Sequence, residues 1–235
     1  MKVLAIDTTT YTLGVSLLEG EKLIGEYTTD LNKNHSLRVM PAVEALMKEC
    51  GVEPAELEKI VVAKGPGSYT GVRIGVTIAK TLAWSLKVPL SGVSSLAVLA
   101  ASAHFYPSYI SPIFDARRGR VYTGLYKYEK GQLVTVKEDR NVLLTDWCHE
   151  LKELPGEILF VGKDVALHKE TIREEMNEQA VCGKEYTSYP RPYELGILGL
   201  QAPDEEIHSF VPNYIRLAEA EAKWLEKQAD EKRNG

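Results

Sequence analysis

The residues best placed for chemistry lie in Lys64-Gly-Pro-Gly-Ser-Tyr-Thr-Gly-Val-Arg-Ile-Gly75. An apolar run at 60–63 leads into this segment, and a helical pattern over 71–87 leads out of it. A glycine-rich turn between a strand and a helix can aim backbone N–H groups at an anion, or it can let a neighbour pack closely. The residue types leave both readings open. The Walker A pattern fails, because Val72 and Arg73 follow Gly71. A dinucleotide fingerprint begun at Gly65 and Gly67 requires glycine at 70; Thr70 stands there, and Gly71 comes one residue late. Ser68 is a poor nucleophile, because Pro66 takes the place of the first glycine of a nucleophile elbow.

Other reactive groups are scattered. The five histidines, His35, His104, His149, His168 and His208, include no i, i+4 pair and no His-Glu-x-x-His. His35, in Asn34-His35-Ser36, reads as part of a helix cap rather than as a metal ligand. Asp7 and Asp115 each end an apolar run and could approach a phosphate-bound cation, although each taken singly is an ordinary strand-end turn residue. Cys50, Cys148 and Cys182 lie far apart and form no Cys-x-x-Cys, which suits buried thiols in a reducing cytoplasm. No acid, base and nucleophile set stands out. The formal net charge of −5 lacks the footprint of a protein that grips nucleic acid by itself. Arg117, Arg118 and Arg120 form a local basic cluster that fits either RNA phosphates or a partner, or a solvated turn.

Positioning these residues requires a scaffold, and 235 residues, 44% hydrophobic and 26% charged, suffice for a substantial core. Alternating and β-rich runs predict strands at 3–6, 12–18 and 22–29, with a tight turn at Gly20-Glu21. A helix is predicted over 36–50, stopped by Gly51. After the glycine segment and its helix, Pro89 breaks the pattern, 90–93 is extended, and Ser94 caps a third helix reaching about 103. A second half opens near Tyr106-Pro107. It holds a strand at 109–114, a hairpin of 120–128 and 132–137 around Lys130-Gly131, and a helix at 145–151. A strand at 158–161, a helix at 166–176, an irregular stretch over 181–192 and a charged helix over 218–232 follow. Both halves open with an apolar strand ending in Asp, Ile6-Asp7 and Phe114-Asp115, which hints at a duplicated unit. The expected organisation is a first lobe over 1–105, a reduced second lobe over 106–217, and a charged helix and tail over 218–235. No apolar run is long enough to span a bilayer and Met1-Lys2 leads directly into a strand, so a cytoplasmic protein without a membrane partner is expected.

Two helices carry a wide apolar arc. The first offers Leu37, Met40, Val43 and Met47; the second offers Val72 and Val76, with Gly75, Ala79 and Ala83 as a small-residue ridge that another helix could approach. A subunit interface through these residues is the reading preferred here; the alternative is burial within the chain.

Several segments in order along nearly the whole chain resemble the TsaB (YeaZ) family, bacterial proteins of threonylcarbamoyladenosine synthesis in tRNA. They are Leu4-Ala-Ile-Asp-Thr-Thr9, Asn34-His-Ser36, the glycine segment 64–75, Gly92-Val-Ser-Ser-Leu96, Asp115-Ala-Arg-Arg118 with Val121-Tyr122, and Pro212-Asn-Tyr-Ile-Arg216. Residues 137–190 carry no matching motif. The resemblance implies an α/β, actin-like ATPase (ASKHA) fold of two similar lobes, each with a mixed five-stranded sheet flanked by helices. Asp7-Thr8-Thr9 keeps part of that superfamily's phosphate hairpin but lacks its glycine, and Ala116-Arg117-Arg118 stands where a second hairpin would. The implied state is therefore no nucleotide bound by this chain alone, with ATP or ADP and metal in the partner subunits. Asp7, Thr8, Thr9, Gly65, Gly67, Ser68 and Arg73 remain candidates for an anion, nucleotide or partner contact.

The catalytic paralogue, TsaD, carries a His-x-x-x-His metal pair after a Gly-Val segment. Aligning Gly92-Val93 with it puts Ser95 and Leu99 at the histidine positions. The resemblance thus implies a non-catalytic subunit with no metal site and no catalytic residue. Such a subunit pairs with TsaD through first-lobe helices, works with the ATPase TsaE, reaches tRNA through the complex, and self-pairs when alone. The rival expectations are an ATP-dependent small-molecule kinase of the actin-like superfamily, a zinc peptidase, and a structural homodimer.

Overall fold

The computed structural model describes residues 1–215; the expected helix over 218–232 lies outside them. Strands β1 (Lys2–Asp7), β2 (Thr12–Glu19), β3 (Lys22–Asp30), β4 (Lys59–Ala63) and β5 (Leu90–Val93) form a sheet of order β3-β2-β1-β4-β5. β1 runs antiparallel to β2 and parallel to β4. Strands β6 (Tyr109–Asp115), β7 (Arg120–Glu129), β8 (Gln132–Leu143), β9 (Ile158–Val161) and β10 (Ala180–Cys182) form the second, of order β10-β9-β6-β7-β8. Traced from β8, that order repeats the first. The duplicated unit hinted at by the strand–Asp repeat is therefore present, as two lobes that each carry the mixed five-stranded sheet implied by the resemblance.

Both faces of the first sheet are covered, which is why its central strands read as unbroken apolar runs. Leu4, Ile6, Ile60 and Val62 face helices α1 (Val39–Cys50) and α2 (Tyr69–Leu86). Their neighbours Val3, Ala5, Val61 and Ala63 face the opposite way, as the period of two demands. In the second lobe, α4 (Leu144–Lys152) and α5 (Val165–Met176) cover one face, burying Trp147, Leu151 and Ile172 against Ile113 and Leu125.

Two helices lie between the sheets. α3 (Ser95–Ala101) comes from the first half of the chain, yet its Leu96 and Leu99 pack on Ile110, Phe114 and Tyr126 of the second sheet. α6 (Pro192–Gln201) comes from the second half but packs on β1, β2 and β4 of the first. Gly196 and Gly199 let it approach: a Cβ at either would collide with Leu18 or Val61. No element is expected over 193–201 from the sequence, because Tyr193, Leu195, Ile197, Leu198 and Leu200 are spread around the helix without a single stripe. The expected boundary that gave all of 106–217 to the second lobe fails at this helix. After α6 the chain stays on the first lobe, with Phe210 in its core.

Smaller departures have local causes. The helix expected over 36–50 is a 3-10 turn at His35–Leu37 followed by α1, with Asn34 Oδ1 accepting from Ser36 N. β8 runs to Leu143 rather than 137, pairing along all of β7 with register shifts near Leu125. Within the stretch expected to be irregular, β10 adds an edge strand parallel to β9. Among the described residues, no helix is long and apolar enough to cross a membrane.

Candidate functional site

The β1–β2 turn is the point where the glycine segment meets the first sheet. Thr8 Oγ1 donates to Gly71 O at 2.7 Å, and Ser68 N donates to Thr9 O at 2.7 Å. A Cβ on Gly71 or Gly67 would stand within 3.0 Å of the carbonyl oxygen of Thr8 or Thr9. Of the two readings left open, close packing is therefore realised: the glycines seat the first turns of α2 on Asp7-Thr8-Thr9. Ser68 caps α2, its Oγ accepting from Gly71 N at 3.3 Å.

Asp7 is buried beneath this turn. Its Oδ1 accepts from Thr9 N at 2.8 Å and Thr9 Oγ1 at 2.7 Å, and its Oδ2 is buried without a partner among the described residues. Burial pushes its carboxyl above the usual carboxylate range, against the opposing pull of the Thr9 hydrogen bonds and of His35. His35 Nε2 lies 2.7 Å from Thr10 O. A carbonyl only accepts, so Nε2 carries the proton, and the buried Nδ1 has no partner among the described residues. His35 is thus tied to the hairpin carbonyl rather than serving in a cap.

Beyond this turn lies a cleft of about 1050 Å³ between the lobes. Thr9, Gly67, Ser68 and Tyr69 line its first-lobe wall; Asp115, Arg117, Arg118 and Lys163 line the other. Lys163 is paired with Asp30 across it. Asp115 Oδ1 lies 3.1 Å from His168 Nε2, and Asp115 N donates to Asp164 Oδ2 at 2.8 Å. Arg117, Arg118 and Gly119 take successive left-handed conformations (φ 63°, 54° and 70°), and the two arginines line the cleft. Among the described residues, no group of three or more His, Cys, Asp or Glu could hold a metal ion.

The structure divides the expected contact residues. Asp7 and Thr8 are buried, and Gly65 is covered by the carbonyl of Asn213, so none of the three offers a surface. Thr9, Gly67 and Ser68 reach the cleft. Arg73 is exposed and donates to Tyr69 Oη at 2.8 Å. The arginine cluster splits: Arg120 turns back onto β8, with Nε on Asn141 Oδ1 and Nη2 on Asn141 O at 2.7 Å, while Arg117 and Arg118 face the cleft.

The expected interface needs a larger correction. Val43, Met47, Val72, Val76, Ala79 and Ala83 are buried in the first-lobe core. The small-residue ridge of α2 faces its own chain, for the same reason that Gly71 lies on Thr8. Of the eight residues only Leu37, 75% exposed, and Met40, 43% exposed, are outward. The outer side of α2 instead shows the half-buried Ile74, Ile78 and Leu82, with Trp84 exposed. The i, i+4, i+8 spacing of those three isoleucine and leucine positions was the available signal, masked by the equally regular Gly75, Ala79 and Ala83.

The sequence model of the family described as "TsaD: tRNA N6-adenosine threonylcarbamoyltransferase" matches residues 24–224. The tRNA threonylcarbamoyladenosine biosynthesis protein TsaB of Bacillus subtilis is 55% identical over 228 residues, covering 97% of this chain and all of that protein. The TsaB of Escherichia coli is 32% identical over 165 residues, 69% of this chain and 71% of that protein. The solved structure of YeaZ from Pseudomonas aeruginosa superposes with a TM-score of 0.76 at 24% identity, over 91% of this chain and 99% of that one, and so has the same fold.

Proposed function

The chain belongs to the TsaB family, and we propose that within it this protein is a non-catalytic subunit for threonylcarbamoyl transfer to N6 of the adenosine adjacent to the anticodon in tRNA. It binds and supports the catalytic subunit TsaD, together with the ATPase TsaE. The observation that carries this reading is the fate of the two positions aligned with the paralogue's histidines. Ser95 is buried, with its Oγ accepting from Gly65 N at 3.1 Å, and Leu99 is buried in the core between the lobes. A hydroxyl committed to a backbone amide and an aliphatic side chain cannot supply the two imidazole ligands.

Nucleotide and metal, in this reading, belong to the partner subunits. The Asp7 hairpin fits a phosphate poorly: Thr9 N is committed to Asp7, and α2 closes on the carbonyls of Thr8 and Thr9. The pairing surface is the outward side of α1 and α2, with Leu37, Met40, Ile74 and Ile78 as apolar contacts. The same side serves self-pairing in the absence of TsaD.

Threonylcarbamoyl transfer to unmodified tRNA by TsaD and TsaE, with and without this chain, tests the role, and light scattering on the same mixtures reports assembly. The expected outcome is transfer that depends on this chain and a mixed complex that Met40→Glu weakens without unfolding the monomer. Transfer without TsaD would make this chain the enzyme, and an unaltered complex with Met40→Glu would misplace the surface.

A further inference from the structure

The described residues end at the mouth of the cleft. On the way there the backbone runs against the direction of α2: Lys80 Nζ donates to the carbonyls of His208 at 3.1 Å and Phe210 at 2.7 Å. Asn213 N then donates to Lys64 O at 2.7 Å, and Tyr214 stacks on Tyr69 at the start of α2, with ring centroids 5.3 Å apart. These contacts lead the chain toward the cleft, whose wall Tyr69 lines. Apolar side chains stand open there on both lobes. Tyr11 and Tyr69 of the first lobe are 63% and 51% exposed, and Leu167 of the second is 72% exposed, although all three line the cleft. The half-buried Ile74 and the buried Phe114 line it too.

We infer that residues 216–235, which lie outside the described residues, dock in this cleft through Leu217, Trp224 and Leu225, the large apolar side chains of that segment. Leu217 stands three residues beyond Tyr214, so it lies within about 10 Å of chain from the stacked ring even at full extension. A tether this short holds the segment at an effective concentration of the order of mM, so a weak apolar contact is enough to populate the docked state. Covering Tyr11, Tyr69 and Leu167 removes apolar surface from water, which is the driving force. The cleft volume of about 1050 Å³ is ample for the three docking side chains. The outward side of α1 and α2, proposed above for pairing, lies off this course, because the segment would have to fold back along α2 to reach it. The cleft is thus occupied by the chain itself and closed to a small-molecule ligand. The inference does not depend on the proposed pairing with TsaD.

The test is acrylamide quenching of tryptophan fluorescence in the full chain carrying Trp84→Phe. Of the three tryptophans this removes the one on α2, 64% exposed, and leaves the fully buried Trp147 and Trp224 of the docking segment. Docking predicts that both are shielded, and that Tyr11→Glu/Leu167→Glu makes Trp224 fully quenchable. Both substituted positions are exposed, so the fold should tolerate them. Leu217→Glu, which leaves every described residue unchanged, should expose Trp224 equally. Ready quenching of Trp224 in the Trp84→Phe chain overturns the inference. Protection that survives either of the other variants overturns it too. Protection lost on Met40→Glu, which acts at the pairing surface, places the segment against α1 and α2 or a second copy and overturns it as well. Light scattering on each sample records the assembly state, so a failure of pairing is read separately from a failure of docking.

Discussion

Thr8 and Gly71 are fastened to each other in both directions. The Thr8 hydroxyl donates to the Gly71 carbonyl at 2.7 Å, and the Thr8 carbonyl occupies the space that a Cβ on Gly71 would need. The first turn of α2 is thereby locked onto the hairpin that leads β1 into β2, and the inner wall of the cleft is set by that contact.

Gly71→Ala should therefore overpack a site bounded by backbone rather than by a side chain that can rotate away. Overpacking costs about 1–3 kcal/mol, and a rigid carbonyl neighbour places this variant near the top of that range. For a chain of this size about 3 kcal/mol corresponds to a melting temperature lower by about 6–12 °C, measurable by calorimetry. An unchanged melting temperature would mean that α2 shifts freely on the sheet.

Asp7 should behave as a destabilising acid. Burial holds its folded-state carboxyl above the ordinary carboxylate value. As pH rises past about 4 the unfolded chain releases this proton while the folded chain retains it, so stability falls, and the loss is complete once pH exceeds the folded value. Asp7→Asn keeps the shape and removes the charge. It should stabilise the protein by about 1 kcal/mol at neutral pH, where a buried unpaired charge costs more than a buried amide, and the gain should vanish near pH 3. Denaturant titrations at the two pH values measure the difference, and equal stabilisation at both would rule out proton linkage.

Phe210 anchors the segment that returns to the first lobe after α6. Its ring is buried beside Gly92, where a Cβ would touch it at 2.6 Å, and Lys80 Nζ donates to its carbonyl at 2.7 Å. Phe210→Ala should cost about 3–5 kcal/mol by emptying that site. The release should also be local: amide exchange should rise first over 203–214 and at the Lys64 end of β4, before the second lobe is affected. Uniform destabilisation of both lobes would show that the segment has no independent role.

The sequence by itself determined the strands, most of the helices and the repeat. Those features are written in neighbouring residues, as Leu4 and Ile6 alternating with Val3 and Ala5, and as the caps Ser68 and Ser94. Its motifs also gave the family, because they survive as short contiguous strings. Thr9, Gly67, Ser68, Arg117 and Arg118, named from the sequence as candidate contacts, line the cleft, which the sequence itself did not announce.

Only the tertiary structure decided which way the apolar residues of α1 and α2 face. Periodicity shows that a stripe exists but not whether a sheet or another subunit covers it, and α2 carries two regular stripes, Gly75-Ala79-Ala83 and Ile74-Ile78-Leu82. The small-residue stripe lies on the sheet side, where a Cβ on Gly75 would stand 2.5 Å from Thr8 Oγ1 and Ala79 and Ala83 are buried in the first-lobe core. α6 was hidden for a related reason: a helix buried on several sides loses the amphipathic signature that announces a surface helix. The meeting of Tyr69 with Tyr214, 145 residues apart, was likewise invisible in the chain, since it depends on α6 carrying the backbone from the second lobe back to the first.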